Sequence, residues 1–185
     1  MSASTDNSWL VIIDMQNIFG TPSQYWWCPN FAEIIAPIQN LAAQFPGRTL
    51  LTRFVAASDP QGSWVPYYQE FPFAEVPPTN PLYDIVTQLQ SLIDPQNVVT
   101  MTTFGKWQGL SAITGPYPQL YLTGVATDCC VLSTAMQAAE AGAFVTVVMD
   151  ACAGSSATNQ VAAQNILIGY SPLIQITTSE ELLKR

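Results

Sequence analysis

The chain has 185 residues, 49% hydrophobic and only 10% charged, with five Lys and Arg against thirteen Asp and Glu and a formal net charge of −8. So acidic a chain offers no basic patch to a phosphate backbone or an anionic bilayer, which argues against nucleic acid and membrane as partners. It has no histidine, which excludes Ser-His-Asp and Cys-His catalysis and any zinc site with imidazole ligands.

The length fits a single domain over 1–185. A surface so poor in charge predicts an apolar face that meets another copy, hence a homo-oligomer. No apolar run reaches membrane-spanning length, and the polar start MSASTDNS lacks the features of a secretory signal, so a cytosolic protein is expected. The cysteines at 28, 129, 130 and 152 suit neither a disulfide framework nor a CxxC site and are read as free thiols.

In chain order, WLVII (9–13) reads as a first buried strand. Asn30 can cap a helix over 31–45, with Pro37 as a kink and Pro46-Gly47 as its stop. RTLLTRF (48–54) is a second strand. From 55 to 81 the pattern has no period and carries Trp64, Tyr67, Tyr68, Phe71 and Phe73, which suggests a lid or pocket wall. The apolar spacing predicts a helix over 82–93 and a third strand at 97–101. Strands at 121–124 and 144–149 bracket a helix over 128–141 that Gly142 can cap. A helix near 158–168 and a strand at 173–177 close the chain. This alternation predicts a three-layer αβα sandwich with a six-stranded, mainly parallel, Rossmann-like sheet. There is no GxGxxG after the first strand, no GxxxxGK[ST] and no GxSxG, so nucleotide and serine-hydrolase readings lack their anchors.

The segment LYLTGVATDCCV (120–131) carries most of the chemistry. A strand runs into Gly124, a polar step follows, and Cys130 falls near the first turn of a helix, where unpaired N–H groups and the helix dipole favour a thiolate. The alternative is a small buried apolar residue, as most free cysteines are. Asp14 ends the first strand in VIIDMQN; it is either a turn cap or a carboxylate on the same sheet edge as Cys130, able to take and return a proton. Lys106, in TTFGKWQG, is the one lysine before the extreme C-terminus, and Phe104 and Trp107 flank it with apolar bulk. An ammonium beside Cys130 would favour its thiolate and compensate Asp14.

A D-x-Q ending the first strand, a lysine after the third, TGVATDCCV followed by TAMQAAEAG, and the later VVMDACAG closely resemble the isochorismatase-like cysteine hydrolases over nearly the whole chain. That group includes nicotinamidases, N-carbamoylsarcosine amidohydrolase and ureido- or biuret-type amidohydrolases. The resemblance implies Asp14, Lys106 and Cys130 as a catalytic triad, with Cys130 rather than Cys129 as nucleophile. It also implies a cis peptide between Val125 and Ala126 and an oxyanion hole from the N–H groups of Ala126 and Cys130. Two departures stand out. Lys106 precedes Cys130 by only 24 residues, with Met101 nearer the usual lysine position, and the histidine-bearing segment of metal-holding nicotinamidases is missing from TRFVAASDP.

The expected activity is metal-independent, cofactor-free hydrolysis of the C–N bond of a small-molecule amide, N-carbamoyl or ureido compound through a thioester. Arg53 is a candidate to bind a substrate carboxylate, or else to pair with Asp59 or Glu70. Phe19, Trp26, Trp27, Trp64 and Trp107 are candidates for the pocket wall, although loop aromatics also build cores and interfaces. The rival readings are isochorismatase-type vinyl-ether cleavage and a non-catalytic, redox-responsive α/β module.

Overall fold

The structure is a computed structural model that describes residues 7–184; the polar start at 1–6 and Arg185 lie outside the described residues. Six strands form the sheet: β1 (Ser8–Ile13), β2 (Thr49–Phe54), β3 (Val98–Met101), β4 (Gln119–Val125), β5 (Phe144–Ala153) and β6 (Ile174–Thr177). All pairings are parallel, in the order β3-β2-β1-β4-β5-β6. The helices are α1 (Asn17–Gly20), α2 (Ile35–Ala42), α3 (Trp64–Glu70), α4 (Trp107–Thr114), α5 (Leu132–Glu140), α6 (Ala157–Gly169) and α7 (Ser179–Leu183). No helix among the described residues is long and apolar enough to cross a membrane.

Strand β1 shows why the sheet has two covered faces. Leu10 and Ile12 join Ile38 and Leu41 of α2 in one core cluster, while Val11 and Ile13 join Ala135 and Ala138 of α5 and Leu167 of α6 in another. Alternate side chains of a strand leave opposite faces, so a strand buried on both reads as an unbroken apolar run. The result is the expected three-layer αβα sandwich. Strand order reverses direction between β1 and β4, which opens a crevice at the carboxyl ends of those two strands.

Several local expectations need correction. Helix α2 begins at Ile35, not after Asn30, and Pro37 lies in its first turn, where a missing N–H breaks no helical bond and no kink follows. The stretch 55–81 is not all loop, since it holds α3 and a 3₁₀ turn at Pro72–Ala74. No α-helix spans 82–93. Two 3₁₀ turns, Pro81–Tyr83 and Thr87–Leu92, flank an extended stretch whose backbone is committed elsewhere: Asn17 N donates to Asp84 O (3.0 Å) and Val86 N to Met15 O (2.9 Å). The helix expected over 128–141 opens as a π-type turn, Thr127–Val131, before α5 begins, and β5 runs four residues further than 149. Helix α4 had no clear period in WQGLSAIT. Helix α7 carried a readable start signal, the capping box between Thr178 and Glu181.

Gly124 sets how closely β4 approaches β1. Its φ is +102°, and a Cβ there would stand 2.1 Å from the Ile13 carbonyl oxygen, so both conformation and space demand glycine. Gly124→Ala is expected to lower unfolding stability by about 3 kcal/mol or more through backbone displacement. Gly47→Ala, at φ +70° with open space around it, should lose only about 1 kcal/mol. Urea denaturation of both variants checks the contrast.

Candidate active site

Three strand ends deliver the chemistry. Asp14 follows β1, Lys106 follows β3 at the entry to α4, and Cys130 sits in the turn after β4. The Asp14 and Lys106 side chains are fully buried, and Lys106 Nζ lies 2.9 Å from Asp14 Oδ2. That ammonium also donates to Thr103 O (2.7 Å) and lies 5.2 Å from the centre of the Phe54 ring. Such an arrangement meets the need of a buried charge for both a counter-charge and hydrogen bonds.

Asp14 is fixed from the other side by Thr52 of β2, whose hydroxyl donates to Asp14 Oδ1 (2.6 Å) and accepts from Asp14 N (3.1 Å). With Oδ1 taken, Oδ2 accepts no hydrogen bond apart from its ion pair with Lys106 and is the oxygen left to receive a proton. Asp14 has φ +49°, a left-handed conformation that aspartate tolerates better than most residues and that strand ends at functional sites often hold. Lys106 is registered to the nucleophile turn through its backbone: Lys106 N donates to Thr134 Oγ1 (3.1 Å), which donates to Cys130 O (2.7 Å). This link answers the short spacing from Lys106 to Cys130. The amine starts from the helix entry and still reaches Asp14.

Cys130 is buried beside the neighbouring Cys129. The Cys129 thiol, then burial, then the Asp14 carboxylate hold the Cys130 thiol well above its ordinary value, while Lys106 pulls it down. The opening of the Thr127–Val131 turn shapes the approach, with Val131 N donating to Ala126 O (3.1 Å), and the Val125–Ala126 peptide is cis. All four cysteines are free.

Above the sulfur lies a cavity of about 260 Å³ lined by Phe19, Tyr25, Trp26, Trp27, Tyr67, Phe71, Phe104, Ala126, Cys129, Cys130 and Ser155. Phe19, Trp26 and Trp27 therefore stand where the sequence suggested. Trp64 does not line it; its ring packs on Tyr67 (5.4 Å between centroids) and Phe104 (5.0 Å) and backs the wall from behind. Trp107 also lies elsewhere, packed against the core cluster of α5. Arg53 is turned away from the site, neither on a substrate carboxylate nor on Asp59 or Glu70. Its Nε donates to Tyr83 O (3.0 Å) and its Nη2 to Pro78 O (2.9 Å). Sequence reasoning missed Tyr25, Ser155 and the supporting Thr52, Thr103 and Thr134. Of these only Thr52 gave a signal, a hydroxyl directly after the apolar pair Leu50 and Leu51 in the second strand.

The isochorismatase domain profile matches residues 8–181. Among solved structures, an isochorismatase family protein from Desulfovibrio vulgaris superposes with TM-score 0.78 at 22% identity, covering 97% of this chain and 99% of that one. A cysteine hydrolase from Pseudomonas syringae superposes with TM-score 0.78 at 17% identity over 96% and 91% of the two chains. A pyrazinamidase from Pyrococcus horikoshii in complex with zinc gives 0.70 at 19% identity over 93% and 99%. A search of curated proteins finds no match in sequence.

Because Asp14 raises the Cys130 thiol, alkylation of Cys130 by iodoacetamide should still be rising at pH 9, the thiol's ordinary midpoint. Asp14→Asn removes that negative charge and should move the alkylation curve to lower pH. Peptide-resolved mass spectrometry over a pH series reads both curves. An upward move in the variant would contradict the assigned electrostatics.

Proposed function

The chain belongs to the isochorismatase domain family, and we propose that it is a cysteine-dependent hydrolase of the C–N bond of a small amide, N-carbamoyl or ureido compound. The observation that carries this reading is the fully buried Asp14–Lys106 pair, with Asp14 Oδ2 accepting no hydrogen bond beyond that ion pair, near a thiol that lines an aromatic cavity. A chain without histidine needs another base for a resting thiol, and Asp14 is the group placed to serve.

In this mechanism Cys130 Sγ attacks the substrate carbonyl carbon while its proton passes to Asp14 Oδ2. The tetrahedral intermediate collapses, the C–N bond breaks, and the leaving nitrogen takes that proton, leaving a thioester on Cys130. Water then attacks the thioester, Asp14 accepts the water proton, and the proton returns to the sulfur as the acid leaves. Lys106 keeps a countercharge beside Asp14 in both steps. The N–H groups of Ala126 and Cys130, at the turn where the helix dipole begins, serve as oxyanion donors, each worth about 3 kcal/mol by analogy with other acyl-transfer sites.

We read the enzyme as working without metal or other cofactor. The donor set does not fit a zinc ion: the sequence has no histidine, and no three His, Cys, Asp or Glu side chains gather suitably among the described residues. The same reading places the enzyme in the cytosol, where free thiols persist. It also makes it a homo-oligomer, supported by the exposed Phe144, Val161, Ile168 and Leu173.

Ammonia release from a panel of primary amides, N-carbamoyl and ureido compounds tests the activity. Cys130→Ser and Asp14→Asn should each lower kcat/KM by at least about 10³-fold, and Cys129→Ser should retain turnover. Cleavage of an acidic cyclohexadiene vinyl ether that survives Cys130→Ala, with no ammonia released from any amide, would favour the vinyl-ether reaction instead. Loss in Cys129→Ser alone would transfer the nucleophile to the neighbouring sulfur.

A further inference from the structure

We propose that the cavity above Cys130 selects uncharged amides with an apolar acyl group and rejects anionic ones, N-carbamoyl amino acids and ureido acids included. The inference rests on the amide-hydrolase reading and narrows its substrate class.

The first ground is the position of every cation among the described residues. Lys106 is fully buried and spent on Asp14 and Thr103. Arg53 donates to the carbonyls of Tyr83 and Pro78 and borders a separate depression with Asp84, Ile85 and Gln90. Arg48 precedes β2 and borders a depression with Ser8 at the amino end of the sheet, opposite the site. Lys184 pairs with Glu180 beside the last helix. Among the described residues no guanidinium or ammonium stands where it could meet a substrate carboxylate in the cavity, and a charge brought into an apolar site without a partner is strongly disfavoured.

The second ground is the sign of the local field. The charges acting on the Cys129 thiol are the carboxylates of Asp128 and Asp14 against the one ammonium of Lys106, and Glu70 lies beside Tyr67 in the wall. An incoming anion is therefore repelled. Asp128 and Asp14 are not free to seat a cation either, and Glu70 is not among the residues that line the cavity. Both oxygens of Asp128 accept from Ser155, at N (2.8 Å) and Oγ (2.7 Å), and Asp14 is held by Thr52 and Lys106. What remains for recognition is the ring wall of Phe19, Trp26, Trp27, Tyr67, Phe71 and Phe104, which suits a flat or aliphatic apolar group.

Two measurements on the intact protein test this. The first compares kcat/KM for benzamide with the matched 4-carboxybenzamide and 4-(trimethylammonio)benzamide. The neutral amide should lead each charged partner by at least about 100-fold, the order expected for an unpaired charge in an apolar pocket. The second needs no turnover: the rate of Cys130 modification by iodoacetamide over that by iodoacetate, normalised to 2-mercaptoethanol, should exceed one by about tenfold or more. Tyr25→Arg places a cation at the mouth of the cavity, where Tyr25 is 76% exposed, and its folding is checked by an unchanged urea midpoint. It should shrink the neutral preference over the carboxylate in both measurements. A carboxylate or ammonium substrate turned over as fast as the neutral one overturns the inference, as does a normalised alkylation ratio near one. If no amide is hydrolysed at all, the amide-hydrolase reading fails and the alkylation ratio alone decides the charge selection.

Discussion

The Asp14–Lys106 ion pair is the constraint around which the rest of this molecule is arranged. Neither side chain keeps any contact with water, so each has lost a hydration worth several kcal/mol, and the pair is tolerable only where its geometry is nearly ideal and its remaining hydrogen-bond capacity is met. Thr52 from β2, the Thr103 carbonyl after β3 and the ring of Phe54 supply that environment. With Asp14 itself they come from the ends of three strands, and the parallel register of β1, β2 and β3 is what brings them to one depth. A pair so placed contributes little net stability. Its removal one partner at a time is severe, which separates its role from that of an ordinary structural bridge.

In the mechanism proposed, the same burial lets a thiol work without imidazole. A histidine partner usually draws the proton away before the substrate arrives. The neighbouring Cys129 thiol, burial and Asp14 raise the Cys130 thiol, so in the proposed mechanism the proton leaves during attack and the base must already be in place. Lys106 supplies the countercharge beside Asp14 at no contact with solvent. The backbone link from Lys106 through Thr134 to Cys130 then ties the position of the ammonium to that of the sulfur, so the three groups move as one unit.

The strands were legible because a strand covered on both faces leaves an unambiguous apolar run, and the residues that end those runs were legible for the same reason. Asp14 and Cys130 each break a hydrophobic pattern at the edge where an open α/β sheet binds ligands. The stretch 82–93 was misread because apolar spacing records only that Tyr83, Ile85 and Leu89 are buried, not that the backbone between them bonds to the extension of β1. Arg53 was misassigned although strand parity spoke against it. Thr52 faces Asp14, so its neighbour must face away, toward Tyr83 and Pro78. Wall aromatics such as Trp26 and backing aromatics such as Trp64 have the same chemistry in sequence. Only the packing of Trp64 behind Tyr67 and Phe104 separates them.

That separation divides the molecule into two parts with different origins of order. The charged groups are held by the sheet and its threonines, whereas the cavity wall comes from 19–27, α3 and the segments beside it, held chiefly by ring contacts such as Trp26 with Phe73 (4.9 Å) and Tyr67 with Phe71 (4.8 Å). Ring contacts are broad in geometry and individually weak, so the wall can change shape and still pack. The ion pair has no such latitude, because a shift of an ångström leaves a buried charge without its partner. Variation in this fold is therefore expected to fall on the ring wall of the cavity, where on the proposed reading it would alter which amide is accepted, while Asp14 and Lys106 stay fixed by the strand register beneath.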